Sequence, residues 1–109
     1  MKLNDNMYRQ GDVLLCKRET LPADAAPVET AGPLVLKEGE VTGHRHRYEY
    51  AAESRLYVAH GGARYLSVAG ATIDLKHQEH DTIPTPPGVY DLPTQMEWDD
   101  SCEPRIVAD

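Results

Sequence analysis

Four of the five histidines stand in two close pairs, His44 with His46 in GHRHR and His77 with His80 in KHQEH. Imidazole nitrogens are ligands for zinc and equally for non-haem iron, nickel or copper. Glu79, beside His80, adds a carboxylate that serves as a fourth ligand or as a general base. A site of three protein ligands with one open position polarises a substrate or activates water, whereas a closed site of four histidines is structural. HQEH does not match the HExxH of helical metalloproteases, so that chemistry is not indicated. Two readings without metal stay open: buried histidines hydrogen-bonded to tyrosines and backbone, and metal-free acid–base use of the imidazoles.

The elements that must carry these residues are strands. No window of the chain holds an apolar stripe at i, i+3, i+4, i+7 free of glycine and proline, whereas short alternating runs recur. Strands are expected at Val13–Arg18, Leu34–Lys37, His44–Tyr50, Arg55–Ala59, Arg64–Val68, Thr72–His77, Val89–Leu92, Gln95–Trp98 and Arg105–Val107. Gly32-Pro33, Gly61-Gly62, Gly70, Pro86-Pro87-Gly88 and Pro93 punctuate them. The expected fold is all-β: a small antiparallel β-barrel or sandwich with little or no helix, one domain over 1–109, with a mobile loop at 20–31 where TLPADAAPVETA lacks large apolar groups. Because strand side chains alternate faces, His44, His46, Tyr48 and Tyr50 share one face and Arg45, Arg47 and Glu49 the other. The charged face is the wet one. His77 aligns with Ile73 and Leu75 and also points inward. Two strands thus aim imidazoles at one mouth of the fold, with Tyr48 or Tyr50 placed to orient a small polar substrate.

Composition narrows the classes. At 109 residues the chain has room for one core and excludes two-lobed enzymes. Six tyrosines, one tryptophan and no phenylalanine mean that almost every large ring needs a partner for a polar handle. A formal charge of -7 opposes tracking of a nucleic-acid backbone. No stretch reaches the length of a membrane span, and the N-terminus lacks the apolar region of a secretory signal. Cys16 and Cys102 lie in no CxxC context; free thiols and a cytoplasmic location are expected, although one bond joining the chain ends is compatible with their positions. The expected partners are a small-molecule substrate or a second copy of the chain, since a small all-β domain with open edges closes readily into a homo-oligomer.

The HRH pair, Glu49 and the later PPGVY turn resemble a degenerate cupin pattern, in which an HxH, a glutamate and a later histidine surround a metal in a β-barrel. The cupin glutamate lies further from the HxH than Glu49 does, and Tyr90 stands near the place of the later histidine. The likeness therefore implies that His77 or His80 completes the set. More specifically, RQGDVLL, EGEVTGHxH, HxEH, PPGxY and the final VAD resemble a set of small uncharacterised bacterial and phage proteins, a likeness that runs from Arg9 to Asp109 and implies no activity. The strand, loop and strand of GDVLLCKRE, 20–31 and GPLVL are also similar to the start of co-chaperonins, which implies assembly without chemistry.

Several residues carry a bland reading beside a sharp one. Arg45 and Arg47 next to imidazoles fit phosphodiester chemistry on RNA, but parity places them opposite the histidines, where they pair with Glu49 or other acids. Asp12, after Gly11, reads as a turn residue. Cys16, alternating with Leu14, reads as a small buried hydrophobe. Glu97, Asp99, Asp100 and Glu103 read as a solvated turn, and Trp98 as a cap on the core.

Overall fold

The computed structural model describes residues 2–4, 6–30, 32–38 and 43–93. Its strands are β1 (Lys2–Asn4), β2 (Met7–Gln10), β3 (Val13–Arg18), β4 (Ala26–Pro27), β5 (Leu34–Glu38), β6 (Arg45–Tyr48), β7 (Arg55–Val58), β8 (Arg64–Val68), β9 (Ile73–Lys76), β10 (Ile83–Thr85) and β11 (Gly88–Asp91). One 3-10 turn, His60–Gly62, interrupts them. Gln95–Trp98, Arg105–Val107, the acidic group at 97–103, Trp98 and Cys102 lie outside the described residues.

The strands form two antiparallel sheets, one in the order β1-β2-β3-β11-β8-β7-β4 and one in the order β10-β9-β6-β5. The expectation of a barrel or a sandwich resolves to the sandwich, since the two sheets do not close into a barrel. Alternation accounts for the pairing. Tyr8, Val13, Leu15, Leu56, Leu66, Val68 and Tyr90 of the larger sheet meet Leu34, Leu36, Tyr48, Ile73, Leu75 and Ile83 of the smaller one in a single core. This burial of alternate side chains from two facing sheets is the dominant favourable term in the fold. The run Val13 to Cys16 is buried on both faces, and Met7, Leu14 and Cys16 form a satellite cluster. Cys16 is indeed a small buried hydrophobe. It is disulfide-bonded, so the expectation of free thiols is corrected there.

Polar ties cross between the sheets. Gln10 of β2 donates from Nε2 to the carbonyl of Leu75 in β9 at 2.9 Å, and Arg64 of β8 donates to the carbonyl of Leu36 in β5 at 3.0 Å. Within the span expected to form a mobile loop, residues 20–30 carry β4, Val28 N–H donates to Leu56 O at 2.8 Å, and Asp24 Oδ2 accepts the His60 N–H at 2.9 Å. No helix among the described residues is long and apolar enough to cross a membrane.

Candidate functional site

The imidazoles gather because β6 and β9 are neighbours in register. Arg47 pairs with Lys76 and Tyr48 with Leu75. Continued outward, that register sets His46 opposite His77 and His44 opposite Glu79. The ring centres of His46 and His77 are 4.2 Å apart, those of His77 and His80 4.7 Å, and those of His46 and His80 5.9 Å. His44 stands 5.7 Å from His77 and meets Glu79 Oε1 with its Nδ1 at 3.4 Å. His80 follows β9 by a short bend and lies over the β2–β3 turn at Gly11. A Cβ on Gly11 would stand 2.6 Å from its Nε2, and the φ of +59° there favours glycine in any case. Glycine at the first position of a two-residue hairpin loop suits the turn, and a side chain there would push the His80 ring aside.

Three further residues complete the site. The hairpin loop places Asp12 so that its Oδ1 is 3.1 Å from His46 Nε2. On the other side, His46 Nδ1 is 2.8 Å from Gln10 Oε1. Gln10 Nε2 already donates to the carbonyls of Leu75 and Asp81, each at 2.9 Å, which fixes its amide with the oxygen toward His46. Nδ1 of His46 must therefore carry a hydrogen, and in the neutral ring Nε2 presents its lone pair to the Asp12 carboxylate. Lys37 joins from the smaller sheet. A bulge between Val35 and Lys37 puts Lys37 opposite His46, and its ammonium donates to Asp12 Oδ2. Bulges of this kind re-aim a side chain and are enriched beside functional sites.

Electrostatics follow from this packing. His46 is 4% exposed. Burial and then the charge of His77 push its pKa down to about 4, against the pull of Asp12. His77 is also shifted down, by burial and then by His80 and His44. Burial tends to raise Asp12, but the hydrogen bond and charge of Lys37 bring it below the usual carboxylate value. At neutral pH the His46–Asp12 contact is a lone pair against a carboxylate, and a cation between them would relieve their repulsion.

Of the residues singled out by sequence, His44, His46, His77 and His80 come together. They do not converge as they stand: among the described residues no three His, Cys, Asp or Glu side chains could hold a metal. His77 Nδ1 accepts the Glu79 N–H at 3.0 Å, which leaves the hydrogen of the neutral ring on Nε2. Glu79 is 65% exposed and orients His44 and His77. Tyr48, expected to orient a substrate, is corrected: its hydroxyl is wholly buried and bonds Thr85 Oγ1 at 2.9 Å, because it points into the core between the sheets. Tyr50 lies beyond the end of β6, where alternation lapses, and is 75% exposed instead of inward. Arg47 pairs with Glu49 at 3.0 Å, as parity implies. Asp12 is a turn residue and also a site residue. Gln10 and Lys37 had no sequence signal, apart from the adjacency of Gln10 to the Gly-Asp turn. Arg9, Gln10, Gly11, His80 and Asp81 line an open pocket of about 400 Å³ beside the rings.

No curated protein matches the chain, and no solved structure matches it either. The model of one family, described as a domain of unknown function (DUF8820), matches residues 9–95. That span begins at the RQGDVLL motif and takes in β3, the bulge that delivers Lys37, and all four clustered histidines. The chain belongs to this family.

Proposed function

We propose that the protein binds a divalent transition metal (zinc, iron or nickel) at this end of the sandwich, with His46 Nε2 and an Asp12 oxygen as the anchoring pair. The observation that carries the reading is their separation of 3.1 Å. Two donors at the bond lengths of zinc, with an angle between square and tetrahedral, stand about 2.9 to 3.4 Å apart, so this pair already has the bite of a chelate. Gln10 supports it in the manner of an outer-shell partner, taking the second ring N–H and fixing the tautomer. The imidazole triangle has the right size as well. Histidines around one tetrahedral zinc have ring centres about 5 Å apart, which the distances of 4.2, 4.7 and 5.9 Å bracket. Closing on the metal requires His77 or His80 to turn, and His77 to release the Glu79 N–H; His44 is the reserve ligand. With three protein ligands a fourth position would be left open, and a metal-bound water or a small polar substrate would be polarised there.

The competing reading is a binding or self-associating module whose histidines only hydrogen-bond. It is favoured by the Glu79 N–H contact to His77, which ties up a nitrogen that a ligand needs free. Metal analysis of protein purified without an affinity tag, with zinc titration by calorimetry, separates the two. Near-stoichiometric metal, a rise in Tm with zinc and its loss in His46→Ala are expected, since a ligand that binds only the folded state stabilises it by mass action. Less than about a tenth of an equivalent of any transition metal, with no response of Tm to zinc or EDTA, would leave only the competing reading.

A further inference from the structure

We propose that Lys37 is a resident competitor for the cation of this site, holding Asp12 when metal is absent and swinging away when metal binds. The inference rests on the metal reading above and adds how that site is regulated. Asp12 has two oxygens with different partners: Oδ1 faces His46 Nε2, and Oδ2 takes the Lys37 ammonium. The lysine is brought there by the bulge in β5, which keeps Leu36 in the core while turning Lys37 toward His46. Its side chain is 44% exposed, so the ammonium has open solvent to move into. An ammonium is a compact, hydrated charge on a flexible stem, suited to a contact that is made and released.

A dication anchored on His46 and Asp12 would lie within a few ångströms of that ammonium. Even at the dielectric of water, one positive charge about 5 Å from a dication costs roughly tenfold in affinity. Metal binding therefore competes with the Lys37 contact to Asp12, and apparent affinity is reduced by the fraction of molecules in which Lys37 holds the carboxylate. The same cost falls on every dication, so only metals that imidazole holds strongly overcome it.

The test is zinc titration of the full chain and of two variants. Lys37→Met keeps the stem and removes the charge, and Lys37→Arg keeps the charge. Lys37→Met should bind zinc about tenfold more tightly or better, with Lys37→Arg within about threefold of the unaltered protein. Circular dichroism confirms that both variants fold. Equal or weaker binding by Lys37→Met overturns the competition while leaving the metal reading in place. Zinc binding by Lys37→Met alone supports both, and no binding by any of the three proteins overturns both.

Discussion

His46 offers the sharpest physical test, because its burial makes a prediction about stability that needs no metal. Folding lowers its pKa from the ordinary histidine value of 6.5 to about 4. At pH 7.5 the ring is neutral in both states and contributes no pH dependence. As the pH drops through 6.5 the unfolded chain takes up a proton that the folded protein refuses, so stability declines. The decline levels off below about 4, where the folded ring is protonated too. The full shift corresponds to about 3 kcal/mol, of which about 2 kcal/mol should be lost between pH 7.5 and pH 5. Asp12 is also shifted down, and its contribution is lost in the same direction as pH falls, but over the lower range where carboxylates titrate. Urea denaturation in EDTA, followed by circular dichroism at several pH values, would be compared between the unaltered protein and His46→Gln. The variant keeps a polar group in the cavity but has nothing to titrate there. Its stability should fall by about 2 kcal/mol less across that interval. Lines that run parallel within about 0.5 kcal/mol, or a His46 ring titrating near 6.5 by NMR, would refute the claim that packing keeps this imidazole neutral.

Gln10→Leu removes the acceptor for His46 Nδ1–H and strands the carbonyls of Leu75 and Asp81. A loss of about 3 kcal/mol is expected by chemical denaturation, together with weaker zinc binding. Gly11→Ala both strains a residue at φ +59° and drives a Cβ into His80. It should cost about 1 to 2 kcal/mol and weaken zinc binding by displacing that ring, read by Tm and calorimetry. Tyr48→Phe should cost about 1 kcal/mol through the lost Thr85 bond and leave zinc affinity unchanged. A change in affinity there would return Tyr48 to the site.

Much of this arrangement was legible from residue types and parity. HRHRY alternates so regularly that His46 and Tyr48 had to face inward once Arg45 and Arg47 were assigned to solvent, and IDLKH placed His77 with Ile73 and Leu75 by the same rule. Adjacency of the two strands was the missing piece; given it, register alone sets His46 opposite His77 and His44 opposite Glu79. The rule misjudged Tyr50 because a strand of four residues, Arg45–Tyr48, ends before it. It also missed β10, whose Pro84 reads as a break, although an edge strand paired on one side only tolerates a proline. Lys37 was illegible for a different reason. A bulge shifts register by one residue, and nothing in LVLKE announces it. Strand parity therefore finds residues that share a strand, but not those delivered by an irregularity.

Gln10 shows why the missed residues matter most. Its burial is an expense for a polar side chain unless every polar atom is satisfied. Two of its hydrogen bonds tie β2 to the β9 carbonyl of Leu75 and to Asp81, which is fold-building work. Making them consumes both amide hydrogens, so only the oxygen remains for His46. The ring must then donate from Nδ1, and the lone pair can only be on Nε2, toward Asp12. The chemical state of the most buried histidine is thus set by how the two sheets are tied together, not by any group at the site mouth. It follows that Gln10→Glu, which cannot donate to either carbonyl when ionised, should disturb the tautomer and the sheet contact together. Ring 15N shifts of His46 report the first and amide exchange of β9 the second. If the tautomer changed while β9 protection held, fold and site would not be coupled through Gln10.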